Sequence, residues 1–127
     1  MVGQSKFVWG WGRWQSIHVT AAWADTVEKF KFFCLWIRDQ IEHLPCVDCI
    51  DHARIYLSAN PPEQAEDPFI WSWRFHNAVN RRLGKPEMEY NTAKQLYLEG
   101  GIKICNEGCG NKTSDKIIED TFIFRPS

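Results

Sequence analysis

The sequence predicts an all-α fold: a four-helix bundle plus a short fifth helix, followed by a C-terminal tail. Apolar residues recur at spacings of three and four in successive segments. Helix caps and Gly/Pro stops fall between those segments. No segment before residue 100 alternates as a strand would. At 127 residues the chain is one domain with a tail, divided as an N-terminal extension over 1–8, a folded domain over 9–100 and a tail over 101–127.

The first helix is expected over Gly10 to Ala24, where Trp11, Trp14, His18 and Ala21 share a face. Asp25 is placed to cap the next helix, with Glu28 three residues on at capping-box spacing. The second helix runs from Thr26 to His43. Its Val27, Phe30, Cys34, Ile37, Ile41 and Leu44 form a coiled-coil-like seam, widened by Phe33 and Trp36, so that it packs on two sides, one of them suited to a partner chain. Pro45 suits the first turn of a third helix, which carries Cys46, Cys49, Ala53, Tyr56 and Leu57 on one side and ends at Asn60-Pro61-Pro62. After a polar loop, Asp67-Pro68 opens a fourth helix that runs to Leu83 and is stopped by Gly84 and Pro86. A fifth, from Thr92 to Glu99 with Asn91 as cap, is too short to stand alone and must pack on something. Beyond Gly101 the chain reads as a mobile tail holding Cys105 and Cys109, then the apolar Phe122-Ile123-Phe124.

Composition narrows the function. Fifteen Lys plus Arg balance 16 Asp plus Glu with no basic stripe, so no nucleic-acid partner is expected. No apolar run approaches the ~20 residues of a membrane span. Met1 to Lys6 shows no basic region followed by an apolar stretch, so no secretory signal is expected, and the protein is expected to act where it is made or to be imported by another route. Seven Trp and 8 Phe are a large flat surface for a small domain, suited to a flat cofactor as well as to a core. Five Cys in such a chain point to redox chemistry or metal binding rather than to a disulfide framework.

Cys46-Val47-Asp48-Cys49 is the strongest local signal. Two thiols three apart at a helix start can close a small disulfide, and the helix dipole stabilises a thiolate there. Cys46 is expected to be the more exposed, and Cys49, one turn in, to face the bundle. The motif alone fits a zinc half-site equally well. A zinc reading joins Cys46 and Cys49 to Cys105 and Cys109 in a helical adaptor; a redox reading makes Cys105 and Cys109 a relay on a flexible arm. Cys34, on the seam, reads as a small buried hydrophobe. A helical dimerisation module with incidental cysteines is a third reading.

On the fourth helix, His76 and Asn80 share a face with Phe69 and Trp73, and Asn77 is adjacent. Buried His and Asn need partners, which either a polar ligand or an interhelical hydrogen-bond network supplies. Arg81, Arg82 and Lys85 can hold phosphates or simply cap a solvated helix end. His18 lies on an aromatic face, more often the place of a satisfied core histidine.

The order Trp9-Gly10, Trp14-x-x-Ile17-His18, Pro45-Cys46-x-x-Cys49 and His76-Asn77-x-Val79-Asn80-Arg81-Arg82-Leu83-Gly84-Lys85-Pro86 resembles the Erv/ALR family of FAD-linked sulfhydryl oxidases, most closely the versions carried by large DNA viruses. The resemblance covers Trp9 to Gly100. It implies a bundle holding FAD noncovalently, as a homodimer, with Cys46 and Cys49 as catalytic residues and Cys105 and Cys109 as a shuttle pair. It implies cofactor contacts at Gly10, Trp14, His18, Trp23, Cys49, His52, His76, Asn77, Asn80, Arg81, Leu83, Lys85 and Tyr97, and assigns no metal ligand. It implies that electrons pass from a thiol-containing protein substrate, or a thioredoxin-like relay protein, through Cys46 and Cys49 to FAD and on to O₂, giving H₂O₂. The implied location is the cytoplasm of an infected cell or the virion, with the mitochondrial intermembrane space as the alternative. Trp11 and Thr92 stand where Arg and Lys are common in the family, Tyr97 where cellular members often have Trp.

Overall fold

A computed structural model describes residues 6–99, which form five α-helices and one short 3₁₀ turn, with no strand among the described residues. The all-α expectation holds. The helices are α1 (Lys6–Trp23), α2 (Val27–Glu42), α3 (Val47–Ala59), α4 (Pro68–Leu83) and α5 (Tyr90–Tyr97).

α1 starts at Lys6, ahead of the expected Gly10. Glycine disfavours a helix by about 1 kcal/mol. Gly10 and Gly12 are nevertheless carried inside it, because the helix places Trp9, Trp11 and Trp14 along the cavity side of the bundle, where each is partly buried. α1 makes its broadest contact with α4.

The cap of α2 is Thr26, not Asp25: the Lys29 N–H donates to Thr26 Oγ1 at 3.2 Å. Asp25 is held in the turn closing α1, its N–H on the Trp23 carbonyl, and its carboxylate pairs instead with Lys29 Nζ at 3.1 Å. Thr26 is thus the residue with extended backbone where the new helix needs an acceptor. The seam divides. Cys34, Ile37 and Ile41 are buried, with Phe33 beside them, but Val27 is 65% exposed. Phe32 and Leu35 face outward with Val19 and Trp23 of α1. Burial pushes the Cys34 thiol up to about 11, with Glu63 adding to the effect.

α3 begins at Val47, two residues after the expected Pro45. Cys46 is its N-cap and Pro45 lies outside it. The segment expected to be a loop contains the 3₁₀ turn Pro62–Gln64, which Arg38 of α2 fastens through a two-pronged ion pair to Glu63 at 2.6 and 2.7 Å. α4 matches its expected limits. Asp67 Oδ1 accepts from the Phe69 and Ile70 N–H groups, and Gly84 takes the left-handed conformation (φ 72°) that closes the helix.

α5 starts at Tyr90 with Glu89 as cap residue, ahead of the expected Thr92 and Asn91. The reason is tertiary. Asn77 holds the preceding segment, its amide oxygen accepting from Met88 N–H at 2.8 Å and its amide nitrogen donating to Met88 C=O at 2.9 Å. Trp73 Nε1 donates to the same carbonyl at 2.8 Å, and Tyr90 packs edge-on against Trp73. Ala93 and Leu96 then bury completely.

Two apolar clusters result. One gathers Ile17, Ala21, Phe33, Ile37, Leu57, Trp71 and Phe75 from α1 to α4; the other gathers Phe69, Met88, Ala93 and Leu96 beneath α5. Each fully buried large side chain contributes roughly 1.5–3 kcal/mol. Among the described residues no helix is long and apolar enough to cross a membrane.

Candidate active site

The glycine-bearing start of α1, the end of α2, the whole length of α3 and the C-terminal half of α4 surround a cavity of about 720 Å³. Trp9, Trp11, Trp14, Tyr56 and Phe75 supply flat walls. Gly10 also lines it, and a Cβ built there meets nothing within 4 Å, so the space beside it is open. Arg13, Arg82 and Lys85 line it against one carboxylate, Asp48, giving a wall suited to anionic groups. Arg13 is steadied by donating to Gln40 Oε1 at 2.5 Å.

Cys49 is on this wall, as expected for a residue one turn into α3; Cys46 is not among the lining residues. Both are intermediate in exposure, so facing rather than exposure distinguishes them. Cys46 caps the helix through sulfur: the Cys49 N–H donates to Cys46 Sγ at 3.3 Å. A backbone donor therefore meets the sulfur at the positive end of the helix, where a thiolate is favoured.

Of the other expected cofactor contacts, Gly10, Trp14, His52, Asn80, Leu83 and Lys85 line the cavity. His18, His76, Asn77, Tyr97, Arg81 and Trp23 do not. His18 and His76 stand directly behind it. The His76 ring stacks on Trp14 at 4.0 Å and 3°, and His18 Nε2 lies 2.8 Å from His76 Nδ1. Both histidines are buried, which lowers the pKa of His18 to about 3 and that of His76 well below its ordinary value; His18 and Lys85 lower His76 further. Tyr97 packs on His18 and Phe69, its hydroxyl donating to Gln15 Oε1 at 2.5 Å. Asn77 serves the Met88 backbone.

Arg81 is turned to Glu87 in a two-pronged pair, and the cavity cation of α4 is its neighbour Arg82. Trp23 is 46% exposed at the far end of α1, edge-on to Phe32 and beneath Lys29 Nζ. Cys105 and Cys109 lie outside the described residues, as does the tail that carries them. Among the described residues no group of three His, Cys, Asp or Glu side chains is arranged to hold a metal ion.

Sequence reading missed Ser72, Gln15, Gln40 and Arg13. Ser72 is fully buried and meets His18 Nδ1 at 3.0 Å. Its signal was available, since a serine four residues before His76 shares that histidine's helix face.

A small all-α bundle that turns one thiol of a Cys-x-x-Cys helix start onto an aromatic, cation-lined cavity defines the class. The chain belongs to the Erv1/Alr family, whose model matches residues 11–98. Similar proteins include two named FAD-linked sulfhydryl oxidase from African swine fever virus, from a warthog isolate of Namibia and a pig isolate of Kenya. Each is 33% identical over 109 residues, covering 79% of this chain and 88% of its own length. A tick isolate of the same virus from Malawi carries a protein of the same name that is 35% identical over 98 residues, 70% of this chain and 79% of its own. The relatives are thus of the viral kind that the motif order resembles.

Proposed function

We propose that the protein is an FAD-linked sulfhydryl oxidase that forms disulfides in thiol-containing protein substrates. The observation that carries this reading is Cys49 on the wall of an aromatic cavity, one turn inside a helix whose cap is Cys46. Family membership supports it.

The residues present fit FAD. The cavity volume, about 720 Å³, lies within the range of small-molecule sites. The open space beside Gly10 admits a flat ring close to the backbone, the aromatic walls complement it, and Arg13, Arg82 and Lys85 suit a pyrophosphate. FAD, when bound, supplies a two-electron acceptor that O₂ re-oxidises with formation of H₂O₂.

The chain's own part is thiol exchange. In the oxidised form Cys46 and Cys49 are joined. A substrate thiolate attacks Cys46 Sγ, the Cys46–Cys49 bond breaks, and Cys49 leaves as a thiolate facing the cavity. The second substrate thiol then displaces Cys46 and leaves the substrate oxidised and the pair reduced by two electrons and two protons. The N–H donor on Cys46 Sγ stabilises the charge that collects there. In this reading Cys105 and Cys109 relay electrons from protein substrates, a thioredoxin-like protein among them. The protein works as a homodimer, for which the outward apolar side chains Val19, Trp23, Phe32 and Leu35 offer a face. It acts in the cytoplasm of an infected cell or in the virion.

The test is the visible spectrum of the purified protein before and after anaerobic dithiothreitol. A flavin spectrum that bleaches and returns on admitting air is the expected result. A protein that stays colourless after incubation with FAD overturns the reading.

A further inference from the structure

We infer that Ser72 is a positioning residue whose hydroxyl, by donating to the Phe69 carbonyl, fixes the tautomers of both buried histidines and makes His76 Nε2 a hydrogen-bond acceptor. Ser72 Oγ lies 2.7 Å from Phe69 O and 3.0 Å from His18 Nδ1. The first is the usual length of an O–H···O bond and the second that of an N–H···O bond. A serine hydroxyl has a single hydrogen. Spent on Phe69, it leaves only lone pairs for His18, so His18 Nδ1 must carry the ring hydrogen and donate.

The rest follows along the chain. Desolvation keeps both imidazoles neutral, so each holds one N–H. His18 Nε2 is then a lone pair, and its 2.8 Å contact with His76 Nδ1 requires the hydrogen to be on His76. With Nδ1 protonated, His76 Nε2 is an acceptor, and whatever group meets it must donate. Turning the Ser72 hydroxyl toward His18 would reverse every bond in the row and convert His76 Nε2 into a donor. One rotor on α4 thereby sets the hydrogen-bond polarity of a histidine that stacks on the cavity residue Trp14. The chemical class selected is a hydroxyl or amino donor. This inference rests on the proposed function only for the identity of that donor as part of FAD.

The test is long-range ¹H–¹⁵N correlation of the histidine rings in the flavin-loaded protein. Expected in the wild type are pyrrole-type Nδ1 and pyridine-type Nε2 signals for both His18 and His76. In Ser72→Ala an Nδ1–H would be left without an acceptor, so both rings exchange types, with the hydrogen on Nε2. Ser72→Thr, which keeps a hydroxyl able to bond the preceding turn, restores the wild-type pattern. FAD binding weakens about tenfold in Ser72→Ala and recovers in Ser72→Thr. A wild-type His18 with its hydrogen on Nε2 overturns the inference whether or not the alanine variant folds, as does an alanine variant with both rings unchanged. The tautomers are readable with or without flavin. A protein with the expected tautomers but no affinity for FAD therefore contradicts the proposed function and not the role of Ser72.

Discussion

His18 Nε2 and His76 Nδ1 meet at 2.8 Å across 58 residues of chain, tying α1 to α4 at the seam between the two apolar clusters. On one side Trp14 joins His76 to Phe75; on the other His18 touches Phe69 and Tyr97. With Ser72, the pair forms a buried polar row among these aromatic rings.

This burial makes stability depend on pH. The folded pKa of His18 is about 3, below its ordinary 6.5, so the unfolded chain binds more protons between those values. Its contribution is fully present above pH 6.5 and is lost as pH falls toward 3, with a slope of about 1.4 kcal/mol per pH unit. The stabilisation from the carboxylates Glu42, Glu63 and Glu87, held low by hydrogen bonds from Arg54, Arg38 and Arg81, is kept down to the ordinary 4.5 and is lost only below it. Urea midpoints falling steadily from pH 6.5 to 5 are expected, with a flatter profile in His18→Asn. A flat wild-type profile in that window would contradict the assignment.

Asn77→Ala removes both Asn77 bonds to the Met88 backbone. The Met88 carbonyl keeps its bond from Trp73 Nε1, but the Met88 N–H is left unpaired, which costs about 1–3 kcal/mol, or roughly 5–15 °C in melting temperature. Because the anchored segment carries Lys85 to the cavity, FAD binding falls as well. Calorimetry and flavin titration measure the two effects.

Gly10→Ala separates fold from site. Alanine favours the helix by about 1 kcal/mol, and its Cβ meets nothing within 4 Å. The flavin-free protein is expected to melt higher and to bind FAD more weakly. A variant that gains in both would show that the open space beside Gly10 is not used.

Cys49→Ser should retain flavin and lose turnover entirely, since no thiolate then faces the cavity. Full activity in that variant sinks the electron route.

Replacing Cys105 and Cys109 together with serine should slow oxidation of protein substrates while leaving dithiothreitol oxidation near the wild-type rate. Equal losses with both substrates would remove the relay.

Much of the fold was legible because its signals are contiguous. α4 was bounded correctly from Asp67-Pro68 and Gly84, since a cap and a left-handed stop act within one helical turn. The Cys46-x-x-Cys49 pair at a helix start, and the motif order of the family, could be read along the chain in the same way. Tertiary structure decided what local signals leave degenerate. Asp25 and Thr26 are both competent caps, and the turn closing α1 chose between them. α5 begins where Asn77 and Trp73 grip Met88, 11 and 15 residues back. Arg81 and Arg82 differ by one residue, which is about 100° around a helix; that rotation sends one to Glu87 and the other to the cavity. His76 and Asn80 share one helix face in the sequence, yet only packing of α1 against α4 puts Asn80 on the cavity wall and His76 behind it, on His18 and Trp14. The sequence by itself determines which residues share a helix face. Which face meets which neighbour depends on contacts between segments far apart in the chain, and those exist only once the bundle has closed.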